Sequence, residues 1–158
     1  MTSEGITENT FNEKIMRAKM SKEEFEEKWC FTKKNVELGE YIIHKMVYNA
    51  GIINVPKIYS YDKKEKIMVM QKICNMSISD FYGDEAVNVP PEVMTTIQKQ
   101  IKELYNYGVC YPDITGYNFI EYYGKIFVID FGHAELNKKS EFVEKFINGL
   151  CEWNPDFK

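Results

Sequence analysis

The order of elements in the sequence predicts an α+β fold, because helix, two strands, helix, two strands and helix follow one another rather than alternating as strand–helix–strand units. Two segments carry apolar residues at helical spacing, and two pairs of short extended runs are each joined by a turn signal. With 158 residues, 44% of them hydrophobic and 15% aromatic, the chain is long and apolar enough to build one core, so residues 1–158 are expected to form a single domain.

The first 20 or so residues are polar and weakly patterned. From Val36 to Ala50 the residues Leu38, Ile42, Met46 and Ala50 recur every fourth position, and Gly51 follows where a left-handed cap is expected. Lys57–Tyr61 and Ile67–Gln71 read as paired strands across the polar stretch Asp62-Lys63-Lys64-Glu65. Ser77–Gly83 suits a turn or short helix. The strongest helix starts at Pro91, buries Val93, Ile97, Ile101 and Leu104, and exits at Gly108. Asn118–Tyr122 and Lys125–Ile129 then form a hairpin through Tyr123-Gly124, and Ser140–Leu150 forms a last helix.

The net charge of −4 is spread over mixed Lys and acidic residues with no basic block, so neither nucleic acid nor an anionic membrane is expected as a partner. Cys30, Cys74, Cys110 and Cys151 are far apart and form no C-x-x-C pair, which argues against a disulfide framework or zinc site. No run reaches the roughly 18 apolar residues of a membrane span. A soluble, intracellular protein is expected, in the cytoplasm of its own or of a host cell.

Chemistry concentrates in Tyr111-Pro112-Asp113-Ile114-Thr115-Gly116-Tyr117-Asn118 and in Val128-Ile129-Asp130-Phe131-Gly132. Asp113 and Asn118 lie on a loop after the strong helix. The hairpin that follows returns the chain to Asp130, so Asn118 and Asp130 can meet with a metal ion between them while Asp113 faces the open side. His44 and His133 have no ligand-spaced partners and read as local hydrogen-bonders. Tyr105, Tyr107, Tyr111, Tyr117, Trp153 and Phe157 read as packing residues.

A D-x-x-x-x-N loop followed by a strand and D-F-G resembles the motif pair of the protein-kinase-like superfamily, over about Val36 to Leu136. The resemblance implies a reduced two-lobed fold with a small antiparallel sheet and hinge over about residues 1–73 and a pared-down helical lobe over 74–158. It implies ATP and Mg²⁺ as cofactors, Asp113, Asn118 and Asp130 as catalytic residues, and Asn118 and Asp130 as the metal ligands. It makes Met70 a gatekeeper, places Gln71, Lys72 and Ile73 against adenine, and gives Glu40, with Glu37 in reserve, the pairing role for an ATP-binding lysine. That lysine is Lys33, Lys34 or Lys19.

Several features depart from the family pattern. Tyr111-Pro112 replaces the usual His-Arg, so no arginine reads a phosphorylated activation loop. Thr115 stands where a Lys or His is usual, and such a loop is more like the small atypical kinase/ATPase of the tRNA threonylcarbamoylation machinery. No G-x-G-x-x-G loop is present, and only 26 residues follow Gly132, too few for peptide-binding helices. The expectation is a minimal ATP phosphotransferase acting on a hydroxyl of a protein, with a kinase mimic that binds a protein partner, or an accessory ATPase, as the alternatives.

Overall fold

The computed structural model describes residues 21–157. The helices are α1 (Lys22–Trp29), α2 (Leu38–Ala50), α3 (Ile78–Tyr82), α4 (Pro91–Asn106) and α5 (Glu141–Ile147). The strands are β1 (Cys30–Lys33), β2 (Ile58–Asp62), β3 (Ile67–Gln71), β4 (Val109–Cys110), β5 (Phe119–Tyr122), β6 (Lys125–Val128) and β7 (Glu135–Leu136). Lys19 lies outside the described residues.

The first sheet runs β1-β3-β2, with both pairs antiparallel. Its β2–β3 turn closes where Asp62 Oδ1 accepts from the backbone N–H groups of Lys64 and Glu65, both at 3.0 Å, an Asx turn that a polar four-residue stretch is suited to make. Strand β1 escapes a reading of periodicity because Cys-Phe-Thr-Lys has no alternation and exposes its middle pair. It exists through pairing with β3, in a register that sets Lys33 opposite Met68. A second hairpin joins β5 to β6 through Tyr123 and Gly124, at φ 49° and 75°, the pair of left-handed residues that a tight hairpin turn requires. Strands β4 and β7 add a short pair behind them.

Helix α4 buries Val93, Ile97, Ile101 and Leu104 on one stripe, and Gly108, at φ 97°, ends its exit turn. This stripe forms the floor of the main core with Val109, Ile114, Phe119, Val128 and Phe146. A smaller cluster of Val36, Met68 and Met70 sits under the first sheet.

Helix α2 corrects the sequence reading. Its buried face is Glu40, Ile43, His44 and Val47, whereas Leu38 and Ile42 from the expected stripe are 38% and 49% exposed. Two polar residues occupy the inner face because each has a partner there, Glu40 an ammonium and His44 the Pro56 carbonyl at 2.8 Å. A hydrophobic period alone therefore selected the wrong side of the helix.

His44 is 1% exposed, and burial pushes its pKa down to about 4. The neutral imidazole is the folded form, so protonation favours the unfolded chain between the ordinary value near 6.5 and about 4. Stability at pH 7 is expected to fall by about 2–3 kcal/mol on acidification to pH ~4.5 through this group. Urea unfolding at the two pH values measures it, and His44→Gln should flatten that part of the dependence.

Candidate functional site

The cleft between the first sheet and the β5–β6 hairpin encloses about 320 Å³. Phe31, Met70, Ile120 and Ile129 supply apolar walls, and Lys33, Glu40, Asn118 and Asp130 supply the polar groups. Such an apolar slot with few converging polar groups is the usual form of a small-molecule site.

Lys33 decides the geometry. Its Nζ donates to Glu40 Oε2 at 2.5 Å and to Asp130 Oδ1 at 3.2 Å, tying β1, α2 and the segment after β6 to one ammonium. Burial opposes its charge, yet hydrogen bonds and attraction from Glu40 and Asp130 outweigh that and hold its pKa above the ordinary value. Lys34, one residue on, is exposed and outside the cleft, and Glu37 lies on the surface with Lys66 at 2.9 Å.

Asp130 takes the left-handed conformation, at φ 65°. Its Oδ1 also accepts from the Gly132 N–H at 3.1 Å, and a Cβ on Gly132 would stand 3.1 Å from that oxygen and 3.3 Å from Glu40 Oε1. Residue 132 thus has little room for a side chain, and Asp130, two positions before it, holds a left-handed conformation that Asp tolerates better than most residues.

Phe131 is fully buried and anchors this turn. Its ring packs edge-on to Tyr111 at 5.3 Å and tilts against His44 at 5.2 Å, so a continuous aromatic stack joins the Asp113 loop to α2. Tyr111 donates its hydroxyl proton to the Ile129 carbonyl, which ties the loop to the residue before Asp130. The reading of Tyr111 and Trp153 as packing residues agrees with their burial, whereas Tyr107 and Tyr117 are each 47% exposed.

Asp113 lies outside the cleft and is buried rather than open. Burial raises its pKa, while the hydrogen bond from His133 pulls the other way. His133 Nδ1 stands 3.1 Å from Asp113 Oδ2, while the imidazole itself is largely exposed. Asn118 Nδ2 donates to the Asp113 carbonyl oxygen at 2.9 Å and faces the cleft. Thr115 is buried, and its hydroxyl caps the following turn by accepting from the Tyr117 N–H at 3.3 Å.

Asn154 was not singled out from the sequence. Its backbone N–H donates to the Ile114 carbonyl and its Nδ2 to that of Pro112, both at 2.8 Å, so it braces the loop on both sides of Asp113. The Asn154-Pro155 dipeptide was the available turn signal, and Asn154 Oδ1 does accept from the Asp156 N–H at 3.1 Å.

Met70, Gln71, Lys72 and Ile73 all line the cleft. The Gln71 N–H is engaged by the Lys57 carbonyl at 2.8 Å and the Lys72 N–H by that of Trp29 at 2.9 Å. Ile73 is the one of these three whose backbone N–H has no hydrogen bond among the described residues.

Asn118 and Asp130 provide oxygen donors at one end of the cleft, and no cluster of three or more His, Cys, Asp or Glu suited to a metal exists among the described residues. So sparse a set of hard oxygen donors suits Mg²⁺, which keeps water and substrate phosphate oxygens as its other ligands. No helix among the described residues is long and apolar enough to cross a membrane.

Comparison with known proteins bears on the family and the fold. The KEOPS complex subunit Bud32 of Pyrococcus abyssi is 30% identical over 89 residues, which cover 56% of this chain and 40% of that protein. Among solved structures, the kinase PK-1 of the Cydia pomonella granulovirus superposes with a TM-score of 0.51 at 16% identity, over 68% of this chain and 42% of that one. The chain thus spans about two fifths of the length of each of these two relatives. The structural likeness shows the fold, a reduced two-lobed protein-kinase-like architecture. The RIO-domain family profile matches residues 6–149, beyond both ends of the stretch that the motifs cover, and with that extent of agreement the chain belongs to the RIO-domain family of atypical protein-kinase-like proteins.

Proposed function

We propose that this chain is an ATP- and Mg²⁺-dependent phosphotransferase that moves the γ-phosphate of ATP to a hydroxyl group of a protein. The observation that carries the reading is Lys33 held at once by Glu40 and Asp130 over a cleft that Asn118 also faces. Phosphoryl transfer asks the protein for positioning and charge stabilisation more than for covalent chemistry, and these groups supply both.

In this reading adenine lies between Met70, Ile120 and Ile129, with the Ile73 N–H as its backbone donor. Lys33 contacts the phosphates from the position that Glu40 fixes. Asn118 and Asp130 would hold Mg²⁺, which neutralises phosphate charge when bound. Asp113, beside the cleft, would orient the acceptor hydroxyl and take its proton, with His133 hydrogen-bonded to its Oδ2.

Purified protein is expected to release ADP from ATP only in the presence of Mg²⁺, and to gain thermal stability with Mg·ATP. At ligand concentrations about 100 times the dissociation constant the gain is about 2.7 kcal/mol. No release and no stabilisation at millimolar nucleotide would remove the enzyme reading and leave the kinase mimic. An accessory ATPase is the second reading, favoured by Thr115, whose hydroxyl is turned inward to cap its own loop, and by the likeness to a protein named as a subunit of a complex. Labelled γ-phosphate separates the two, since transfer to protein supports the first and release as inorganic phosphate alone supports the second.

A further inference from the structure

A second groove, also about 320 Å³, lies between α3 and the β5–β6 hairpin, apart from the nucleotide cleft. Phe81 and Tyr82 pack edge to face at 4.7 Å on one wall, and Tyr122 and Tyr123 do so at 4.6 Å on the other. Met76 at the rim is 51% exposed, Phe81 66% and Tyr123 88%. So much aromatic and thioether surface left in water around one depression marks an interaction site.

Glu121 tells what the groove would hold. Alternation along β5 directs its side chain to the same face as buried Phe119, against α3 rather than into water. Its Oε1 accepts from the Tyr82 hydroxyl at 2.7 Å, and Asn75 Nδ2 donates to its backbone carbonyl at 2.6 Å, so the carboxylate is held in place. It makes no ion pair among the described residues, and none of the side chains lining the groove is cationic. A fixed, partly buried carboxylate with no counter-ion is an arrangement that a cation completes.

Tyr123 adds an independent observation. It occupies the first left-handed position of the hairpin turn, at φ 49°, where Asn, Asp or Gly is favoured and an aromatic residue is disfavoured. Its ring is 88% exposed and touches the fold through Tyr122, so most of its surface is open to a ligand.

We propose that this groove docks a lysine or arginine side chain of a partner polypeptide, with the cation against Glu121 and its stem and apolar neighbours between the aromatic walls. Aromatic faces attract an ammonium or guanidinium, and the carboxylate adds charge-assisted hydrogen bonds. The polypeptide source follows from Met76 and Phe81, which extend the apolar surface beyond the reach of a lone small cation.

The test is a binding titration of the intact chain, independent of any ATP turnover, followed through the tyrosine ring signals in NMR. The probes are acetyl-Leu-Arg-Leu-amide, its citrulline counterpart and free argininamide. The arginine peptide is expected to shift Tyr82, Tyr122 and Tyr123 with a dissociation constant of about 1 mM, at least about tenfold tighter than citrulline peptide or argininamide. Glu121→Gln, which keeps an acceptor for the Tyr82 hydroxyl, should erase the preference for arginine over citrulline. Tyr123→Ala, at an exposed position, should weaken the peptide about threefold to tenfold with an unchanged melting midpoint. Equal binding of arginine and citrulline peptides, full binding by Glu121→Gln, no shift at ~10 mM peptide, or argininamide binding as tightly as the peptide would each overturn the proposal.

Discussion

Asp130→Asn is expected to lower Mg²⁺-dependent ADP release by about a thousandfold or more, because the carboxylate serves two neighbours at once. Its Oδ1 lies 3.2 Å from Lys33 Nζ and also accepts from the Gly132 N–H. Asparagine tolerates the left-handed backbone at this position and can still accept from Gly132, so the variant removes charge and little else. Alanine would add backbone strain and blur the result. Asp130 is 40% exposed at its side chain, so the fold should survive, with a melting midpoint close to that of the parent. A steady-state ADP assay across a Mg²⁺ series makes the measurement. Turnover within about tenfold of the parent would show that the carboxylate does not carry metal chemistry.

Phe131→Ala is expected to have the largest effect on stability, a loss of about 3–5 kcal/mol by urea unfolding. The ring is fully buried and bridges Tyr111 and His44, so its removal opens a cavity where the main core meets α2. Phe131→Leu refills most of that volume and should cost less than about 2 kcal/mol. The alanine variant should also lose ADP release more than its residual folded fraction explains, since Phe131 anchors the turn that presents Asp130. A loss under about 1 kcal/mol would mean that the stack contributes little to holding the lobes together.

These two positions were legible before any fold was known. Asp113, Asn118 and the Asp130-Phe131-Gly132 run are contiguous motifs, and the helix ahead of them shows its stripe of Val93, Ile97, Ile101 and Leu104 plainly. Both hairpins are local as well, because an Asx turn after β2 and a left-handed pair at Tyr123-Gly124 depend on residues that adjoin in sequence. Met70, Gln71, Lys72 and Ile73 line one cleft with Glu40, Asn118 and Asp130, whereas Asp113 lies outside it.

Other features depended on contacts between distant segments. Three lysines were open as partners of Glu40, and only the pairing of β1 with β3 puts Lys33 beside both Glu40 and Asp130. Apolar periodicity does not reveal the inner face of α2, because Glu40 and His44 are buried there through partners elsewhere in the chain. Bracing by Asn154, the imidazole on Asp113 and the carboxylate inside the second groove likewise join residues far apart in the chain. The sequence by itself determined the turns, the strong helix and the order of the acidic motifs, because short-range sterics and periodicity specify them. Tertiary structure alone decided which charges meet and which are left unpaired, because those energies depend on burial and on distances between segments that adjoin only once the chain is folded.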